Sequence, residues 1–323
     1  RRLIEQSLEA CSGFGARVEG KIEPIAGGLW HENYRFSVRG RNPAAADAEY
    51  GYILRLLEQS DDWQAGPEPR ERLLREGETL QVLKRANFPH PTPEFICFVV
   101  DDASEVIGMI ETAVPGVPLA AFKDRSTLRS ISRAAASVHR IAVEEFRHLA
   151  ASADRAEHVK ARLGEVDGAL FAEFPSAKAT REWIQGNLPS GDGACLLHGD
   201  LLPQNLLWNW EASGRDEALV GIVDWEMASI GDPAYDLAIV TRGNRHVHGV
   251  KEGAKVLVEE YLAFGGRPIS VTDVRVHELL LVLGWLEEAW REHQKPEAGG
   301  HGPDFYDNQP RSLHRRASGW VAR

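Results

Sequence analysis

Asp200 and Asn205 lie five positions apart in the segment LLHGDLLPQN, residues 196–205, just after a short apolar run. A second apolar run, LVGIVD, delivers Asp224 at its end, nineteen residues after Asn205. Carboxylate and amide oxygens are ligands that magnesium accepts, and a carboxylate can also orient the proton of a hydroxyl group. Because magnesium takes few protein oxygens and shares the phosphates of its substrate, these groups at the ends of adjacent strands predict magnesium-dependent phosphoryl transfer.

The first third of the chain contains the elements that must support such a site, and it is rich in strand patterns. The runs RVEGKIEPIAGG and ENYRFSVRG alternate apolar and polar residues, and YGYILRLL is a β-type run with Arg55 in its middle. These runs predict a hairpin that leads into a third strand. The segment RERLLREGETLQVLKRA predicts an amphipathic helix, and FICFVV and EVIGMIETAV predict two more strands.

The composition changes after the breaker at Pro115, and helical patterns dominate from there. The segment STLRSISRAAASVHRIAV predicts a helix with Ser126 as its N-cap, and two long helices are expected around residues 250–264 and 272–292. We therefore expect an α+β fold of two lobes. A small β-rich lobe with one main helix would span residues 1–115, and a larger, mainly helical lobe would span 116–323.

The composition is that of an ordinary globular protein, with 43% hydrophobic and 26% charged residues in a chain of 323. No apolar run approaches the ~20 residues that span a bilayer, and the N-terminus lacks a signal-peptide core, so we expect a cytoplasmic protein without a membrane partner. The net charge of −11 disfavours nucleic acid and favours a cationic small molecule. Cys11, Cys97 and Cys195 are far apart and are expected to be reduced and structural.

The motifs HGDLLPQN, VDWE and GDPAYDLA together resemble those of the aminoglycoside phosphotransferase and choline kinase family, whose members are relatives of the protein kinases. The resemblance extends from about Ile22 to Trp290. It implies a protein-kinase-like fold in which the γ-phosphate of ATP or GTP passes to a hydroxyl group of a small acceptor, with Mg²⁺ as the cofactor. The acceptor hydroxyl would enter from the helical lobe, and the nucleotide would lie between the lobes.

The resemblance also implies a role for each polar residue of the motifs. Asp200 would be the catalytic aspartate that accepts or orients the proton of the attacking hydroxyl. Asn205 and Asp224 would hold magnesium. His198 would brace the catalytic loop rather than act as a base, and Asp236 would fasten the loop from beneath.

In the small lobe, the resemblance implies that Arg55 grips the nucleotide phosphates and pairs with a glutamate of the following helix. Glu76 is the first candidate partner, and Glu78 is the second. The family more often has lysine at the position of Arg55, but arginine also stays charged and offers a planar fork to phosphate or carboxylate. The alternative for Arg55 is an ordinary salt-bridged or solvated strand residue.

The segment GGLWHENYRF stands where the family has its phosphate-covering loop, and Gly27 and Gly28 permit a close approach of the backbone. An ordinary hairpin turn explains the two glycines equally well. Trp30 and His31 occupy positions where the family usually has small polar residues. The run MIETAVPG resembles the hinge between the lobes, which implies contacts to adenine through the backbone of Glu111 and Ala113.

The acceptor pocket has no motif, but a few side chains are candidates for it. Trp285, Glu287 and Glu288 in the segment GWLEEAWREH could wall a pocket for a cation together with Trp290, and Glu226 is a further candidate. The alternative is that the two tryptophans are core residues and the two glutamates of this segment form a solvated face.

Several alternatives stay open at this point. A kinase of the same fold could phosphorylate choline or another amino alcohol, a sugar or a macrolide instead of an aminoglycoside. The chain could also be a nucleotide-binding pseudokinase that acts as a regulatory module, which Arg55 and the unusual glycine loop would favour. The role could be antibiotic resistance or metabolism, and the protein could be a monomer or a homodimer.

Overall fold

The structure is a computed structural model, and it describes residues 1–12, 17–25, 31–39, 51–57, 69–191, 193–209 and 219–294. The chain divides into two compact units. The first comprises Arg1–Phe122, Ile141–Ala150 and His198–Ser229, and the second comprises Lys123–Arg140, Ala151–Leu197 and Ile230–Arg323. The segment with the predicted catalytic loop therefore belongs to the same unit as the N-terminal strands. The lobe boundary at residue 115 stays a prediction.

The first unit contains a five-stranded antiparallel sheet in the order β1-β2-β3-β5-β4. These are the strands predicted from the alternating and apolar runs. Their bounds are β1 Arg17–Ile25, β2 His31–Arg39, β3 Tyr52–Leu57, β4 Phe95–Val100 and β5 Val106–Thr112.

The register of β3 and β5 determines which side chains share a face of this sheet. Arg55 is opposite Met109, and Ile53 is opposite Glu111. Because alternate residues of a strand point to the same face, Arg55 and Glu111 lie on one face, and Leu54 lies on the other.

Two helices cover the two faces of the sheet. Helix α1, Arg2–Ser12, packs Ile4 and Leu8 into the core that contains Leu54. Helix α2, Pro69–Arg85, is the helix predicted from RERLLREGETLQVLKRA, and it packs on the face that carries Arg55. A Cβ on Gly77 of α2 would come within 2.7 Å of the Phe98 ring, so this glycine allows the helix to approach β4 closely.

The pairing of the short strands differs from one prediction. The apolar runs before Asp200 and Asp224 were expected to be adjacent strands. They form β7, Cys195–Leu197, and β9, Gly221–Ile222. Strand β7 pairs with β10, Ser229–Gly231, whereas β9 belongs to a sheet with β6, Val117–Pro118, and β8, Leu206–Trp208. The prediction of adjacency is wrong: β9 pairs with β8, which starts directly after Asn205, and β7 pairs with β10 in a separate sheet.

The second unit is mainly helical, and its core combines side chains of α4, α6 and α9 with those of the short helix α5. Among the described residues, no helix is both long and apolar enough to span a membrane. The helices are α3 Arg125–Val138, α4 Arg155–Glu165, α5 Gly168–Glu173, α6 Pro175–Gly186, α7 Ala234–Thr241, α8 Gly253–Ala263 and α9 Val271–Gln294.

The N-cap of α3 differs from the prediction. The cap is Asp124, whose Oδ1 accepts a hydrogen bond from the backbone N–H of Thr127 at 2.8 Å. Ser126 lies inside the first turn, so its prediction as the cap is wrong. The backbone is extended at Asp124 and already helical at Arg125, and only the residue at that transition can cap the first turn.

Asp232 is the centre of a buried polar network in the second unit. Its carboxylate accepts hydrogen bonds from Arg155 Nε at 2.8 Å and His277 Nε2 at 3.0 Å, and its backbone N–H donates to His158 Nδ1 at 3.0 Å. Burial alone raises the pKa of Asp232, but the bonds from His277 and Arg155 outweigh this and hold the pKa at about 2. Burial, with the nearby His277 and Arg162, lowers the pKa of His158 to about 3.

We expect this network to make the protein sensitive to acid. The unfolded chain protonates His158 near its ordinary pKa of 6.5, whereas the folded chain does so only near 3. Between these values the unfolded state binds more protons, so the free energy of unfolding falls as the pH falls. The variant His158→Asn keeps an acceptor at the Nδ1 position but cannot titrate. Its loss of stability between pH 6.5 and 3 should be smaller than that of the parent by roughly 2–4 kcal/mol.

The measurement is urea unfolding at a series of pH values. His246→Asn is the control, because His246 is an exposed histidine of the same unit. If the parent and His158→Asn lose stability at the same rate from pH 6.5 to 3, the buried histidine is not the cause of the sensitivity.

Candidate active site

An arginine and a glutamate form a buried ion pair on one face of the five-stranded sheet. Arg55 Nη1 donates to Glu76 Oε1 at 2.6 Å, and the two side chains are 7% and 0% exposed. The predicted pairing of Arg55 with Glu76 is therefore present. The second candidate, Glu78, is exposed and lies 3.5 Å from His148 Nδ1 instead. Because both side chains are buried, Arg55 is not a solvated strand residue, whereas the alternative of an ordinary salt-bridged strand residue stays open.

Asp224 contacts the same arginine. Arg55 Nη2 donates to Asp224 Oδ1 at 2.9 Å, and the Asp224 side chain is 34% exposed. The φ angle of Asp224 is 70°, which lies in the left-handed region that residues other than glycine rarely adopt. This backbone conformation follows directly after β9 and directs the carboxylate toward Arg55. Strained backbone of this kind is typical of functional sites.

Glu226 is the third carboxylate at Arg55. It was a candidate for the acceptor pocket, but it is buried, and its Oε2 lies 3.3 Å from Arg55 Nη2. The same oxygen lies 3.2 Å from His31 Nδ1 on β2. The sequence analysis missed this contact. The only sequence signal for it was the unusual histidine at position 31.

The carboxylates outnumber the cations around Arg55. Burial raises the pKa of Glu76 well above its ordinary value, and it raises the pKa of Glu111 and of Glu226 to about 7 in each case. Burial alone would lower the pKa of Arg55, but the attraction of Glu76, Asp224 and the other two carboxylates more than offsets it and raises that pKa. Among the described residues, Oε2 of Glu76 and Oε2 of Glu111 are buried without a hydrogen-bond partner.

This excess of negative charge fits a divalent cation. Glu76, Asp224 and Glu226 each offer an oxygen atom within 4.8 Å of the others, and Asp224 is the most exposed of the three. Oxygen ligands of this type suit magnesium. Arg55 occupies the centre of this set, so the metal that the sequence predicts is compatible with the exposed side of Asp224.

The predicted catalytic loop carries an acid that is hydrogen-bonded by an amide side chain. Asn205 Nδ2 donates to the Asp200 backbone oxygen at 2.9 Å and to Asp200 Oδ2 at 3.0 Å. Asn205 ends a short 3-10 helix, Pro203–Asn205, which turns the chain back toward Asp200. The amide nitrogen is a donor and bonds to Asp200, so Oδ1 is the atom through which Asn205 can bind a cation.

His198 joins this loop to the segment that contains Asp224. Its Nε2 donates to the backbone oxygen of Val223 at 3.0 Å, its Nδ1 accepts from the Asp200 N–H at 3.3 Å, and its ring lies against Trp225 with centroids 4.6 Å apart. The Trp225 N–H in turn donates to Glu76 Oε1 at 2.9 Å. Both ring nitrogens of His198 contact backbone, which suits a residue that braces the loop.

Gly199 has a conformation that the loop needs. Its φ angle is 82°, and a Cβ at this position would lie 1.9 Å from the backbone oxygen of Met227. A side chain therefore cannot fit unless the backbone moves. This contact holds the loop and the VDWE segment at a short distance from each other.

We expect Gly199→Ala to destabilise the protein and to abolish activity. The overlap with a backbone atom forces the loop to shift, and the left-handed φ angle adds strain, so the free energy of unfolding should fall by roughly 2–4 kcal/mol. Thermal melting measures this loss. The control is Gly164→Ala in α4, where a Cβ meets no atom within 4 Å and should leave stability equal or raise it. Equal melting temperatures for parent and Gly199→Ala would contradict the prediction.

The predicted hinge and glycine loop are only partly described. Glu111 is buried on β5, and its side chain shares a face of the sheet with Arg55. The Ala113 N–H donates to the Gly51 oxygen at 3.0 Å, so a contact of this N–H with adenine requires that bond to open. Gly27 and Gly28 lie outside the described residues.

The proposed acceptor residues of α9 have structural contacts in the second unit. Trp285 and Trp290 pack against its helical core. Glu287 is buried, and its Oε1 accepts from the backbone N–H of Asp167 at 3.1 Å. Glu288 is exposed. The tryptophan contacts match the core alternative, and their part in an acceptor pocket stays a prediction.

Asp236 is fully buried at the start of α7. Its Oδ2 lies 3.0 Å from His139 Nε2, and His139 Nδ1 lies 2.9 Å from the hydroxyl of Tyr261. This chain of hydrogen bonds joins α3, α7 and α8. The predicted support of the catalytic loop by Asp236 stays a prediction.

Two of the curated relatives that the chain matches differ in the name they carry. It is 30% identical to the viomycin phosphotransferase of Streptomyces vinaceus over 183 residues, which are 52% of this chain and 58% of that protein. It is 26% identical to acyl-CoA dehydrogenase family member 11 of Pongo abelii over 256 residues, which are 72% of this chain and 30% of that protein. The chain thus spans less than two thirds of the length of either relative.

A solved structure and a family model show the fold and the family. The structure of an aminoglycoside phosphotransferase with GDP and kanamycin matches with a TM-score of 0.65 and 15% identity, over 99% of both chains. At this identity the match shows the protein-kinase-like fold alone, as predicted. The model of the phosphotransferase enzyme family matches residues 21–268, which are most of the chain. The chain therefore belongs to the phosphotransferase enzyme family.

Proposed function

We propose that this protein transfers the γ-phosphate of ATP or GTP to a hydroxyl group of a small cationic acceptor, with Mg²⁺ as the cofactor. One observation carries the proposal: Asn205 holds the carboxylate of Asp200, while a buried arginine and glutamate pair holds Asp224. Two carboxylates in such different surroundings suit two different tasks, one with the acceptor hydroxyl and one with a metal ion.

In this mechanism, Asp200 accepts or orients the proton of the acceptor hydroxyl, and Asn205 keeps its carboxylate in place. Arg55 holds the nucleotide phosphates, and Glu76 keeps the guanidinium in position. Mg²⁺, held by Asn205 and Asp224, would neutralise charge on the phosphates when it is bound. Positioning and charge neutralisation supply most of the rate in phosphoryl transfer, so the side chains have little covalent chemistry to perform.

The acceptor class rests on charge and on the relatives. The net charge of −11 favours a cationic molecule, and one relative is a phosphotransferase named for viomycin. Choline or another amino alcohol, a sugar or a macrolide are alternative acceptors of the same reaction. A nucleotide-binding module without turnover is the second candidate, and the arginine at position 55 in place of the family's usual lysine favours it.

The test is a panel of these acceptors, assayed for release of ADP or GDP with and without magnesium, and with a control that lacks an acceptor. Release that depends on both magnesium and an acceptor supports the proposal. Thermal shifts with ATP and GTP, each with and without magnesium, identify the second candidate: a nucleotide-dependent shift without any turnover would favour the module. The absence of both nucleotide binding and turnover would overturn both functions.

The two glutamates of α2 provide a matched pair for the phosphate site. Glu76→Gln removes the charge that holds Arg55, so we expect the KM for the nucleotide to rise about ten-fold, as for the loss of one charge-assisted hydrogen bond. Glu78→Gln, two positions away on the exposed side, should leave the KM unchanged. Steady-state kinetics with a varied nucleotide concentration measures both. Equal KM values for the two variants would show that Glu76 does not support nucleotide binding.

A further inference from the structure

The guanidinium of Arg55 is shared among three carboxylates that differ in exposure. Nη1 contacts Glu76 at 2.6 Å, and Nη2 contacts Asp224 at 2.9 Å and Glu226 at 3.3 Å. The side chains of Glu76 and Glu226 are 0% and 7% exposed, whereas that of Asp224 is 34% exposed. Asp224 is therefore the member of this set that can turn toward a ligand from solution.

In this arrangement Arg55 and a divalent cation would compete for the Asp224 carboxylate. Under the proposed function, Asp224 binds a divalent cation, and its contact with Arg55 Nη2 weakens when the metal draws its oxygens away. A buried guanidinium that loses a carboxylate partner is strongly destabilised unless another anion remains at hand. Glu226 is the carboxylate that contacts the same Nη2 and cannot leave for solvent.

Glu226 is itself held by His31. His31 is buried on β2, and its Nδ1 lies 3.2 Å from Glu226 Oε2. This polar contact links Glu226, which belongs to the VDWE segment, to the sheet that carries Arg55, and the same Nδ1 lies 3.4 Å from Arg55 Nη2. Truncation of His31 would remove this contact and leave Arg55 Nη2 as the sheet group that holds the Glu226 carboxylate.

We infer that Glu226, held by His31, is a positioning residue that keeps the Arg55 guanidinium at the phosphate site when Asp224 engages a divalent cation. The inference rests on the proposed function. It gives Glu226 and His31 a role in nucleotide and metal binding, with no contact between either side chain and the transferred phosphate.

The geometry argues against Glu226 as a direct metal ligand. Oxygens of Glu76, Asp224 and Glu226 come within 4.8 Å of one another, as they would around a metal ion. All three carboxylates, however, already bond to the guanidinium. The set is thus organised around the arginine, and a metal ion at its centre would meet a positive charge. A metal at the exposed side of Asp224 avoids this repulsion.

The test measures Mn²⁺ binding by electron paramagnetic resonance, in the presence of a non-hydrolysable ATP analogue, for Glu226→Gln, His31→Leu and His31→Asn. Loss of one buried charge-assisted contact should weaken Mn²⁺ binding about ten-fold in Glu226→Gln and in His31→Leu. An asparagine amide can replace Nδ1 as either donor or acceptor, so His31→Asn should restore binding to within about two-fold of the parent.

A buried histidine outside this cluster provides the control. His90 is buried in the same unit, and its Nδ1 contacts the backbone oxygen of Val220 at 2.8 Å. His90→Leu should lower the melting temperature without a change in Mn²⁺ affinity. If His90→Leu weakens Mn²⁺ binding as much as His31→Leu does, the His31 effect is only structural and the inference is overturned.

A double-mutant cycle with Arg55→Met separates positioning from direct ligation. If Glu226 acts through Arg55, the effect of Glu226→Gln on Mn²⁺ binding should shrink to within about two-fold in the Arg55→Met background. An undiminished effect in that background would identify Glu226 as a metal ligand and overturn the inference. Equal Mn²⁺ affinity in parent and Glu226→Gln would also overturn it, whereas a parent that binds neither Mn²⁺ nor nucleotide would contradict the proposed function itself.

Discussion

Asp200→Asn is expected to lower kcat by about 10²–10⁴-fold, which is the range for loss of a general acid or base. The substituted amide keeps the size of the carboxylate, but it cannot accept the proton of the acceptor hydroxyl. The side chain of Asp200 is partly exposed, and its hydrogen bond to Asn205 is local, so the fold should be little affected. The KM for the nucleotide should stay near that of the parent, because Arg55 and Asp224 are unchanged.

The measurement is steady-state kinetics with an acceptor found in the panel, together with thermal melting. Asp102→Asn is a suitable control, because Asp102 is an exposed aspartate in the turn between β4 and β5 of the same unit. If Asp200→Asn keeps the parent kcat, Asp200 is not the catalytic residue. If the substitution raises only the KM for the nucleotide, Asp200 contributes to binding rather than to the transfer step.

The closeness of Asp200 and Asn205 could be predicted from the sequence because their contact is local, whereas the catalytic role of this segment stays a prediction. Asp200 and Asn205 are five residues apart, and the amide of one reaches the carboxylate of the other across a single 3-10 turn. Gly199, which precedes Asp200, has the positive φ angle that a glycine at such a turn often has. Local hydrogen bonds of this kind depend on residue type and spacing, and both are visible in the sequence.

The contacts at Arg55 depend instead on tertiary structure. Arg55 and Glu76 are 21 residues apart on a strand and a helix, and only the family resemblance suggested their pairing. The contact between His31 and Glu226 was not predicted at all. An acidic residue such as Glu226 is usually exposed, and nothing in its local sequence indicates that the fold buries it.

Helix α1 and the pairing of the short strands also depend on tertiary structure and could not be predicted from local sequence. Helix α1 has 11 residues, which is too short to be stable alone, and it depends on the packing of Ile4 and Leu8 against the sheet. The strands β7 and β9 are three and two residues long. Runs this short show too little alternation to indicate which strands pair.

We expect Asp224→Asn to weaken metal binding without lowering the stability of the protein. The amide is a much weaker ligand for a divalent cation than the carboxylate, so Mn²⁺ binding and kcat/KM should fall by about 10²-fold or more. The carboxylates around Arg55 exceed the cations, and Glu226 has its pKa raised by burial and by the charge of Asp224. Removal of one negative charge relieves this repulsion.

The backbone of Asp224 adds to the same effect on stability. Asparagine tolerates the left-handed region at least as well as aspartate, so the φ angle of 70° adds no strain in the variant. We therefore expect Asp224→Asn to melt at or above the temperature of the parent, although it binds metal poorly. The Asp224 carboxylate thus lowers the stability of the protein without a ligand, and in return it provides a ligand for the metal ion. A lower melting temperature together with unchanged Mn²⁺ affinity would show that Asp224 is a structural partner of Arg55 and not the metal ligand.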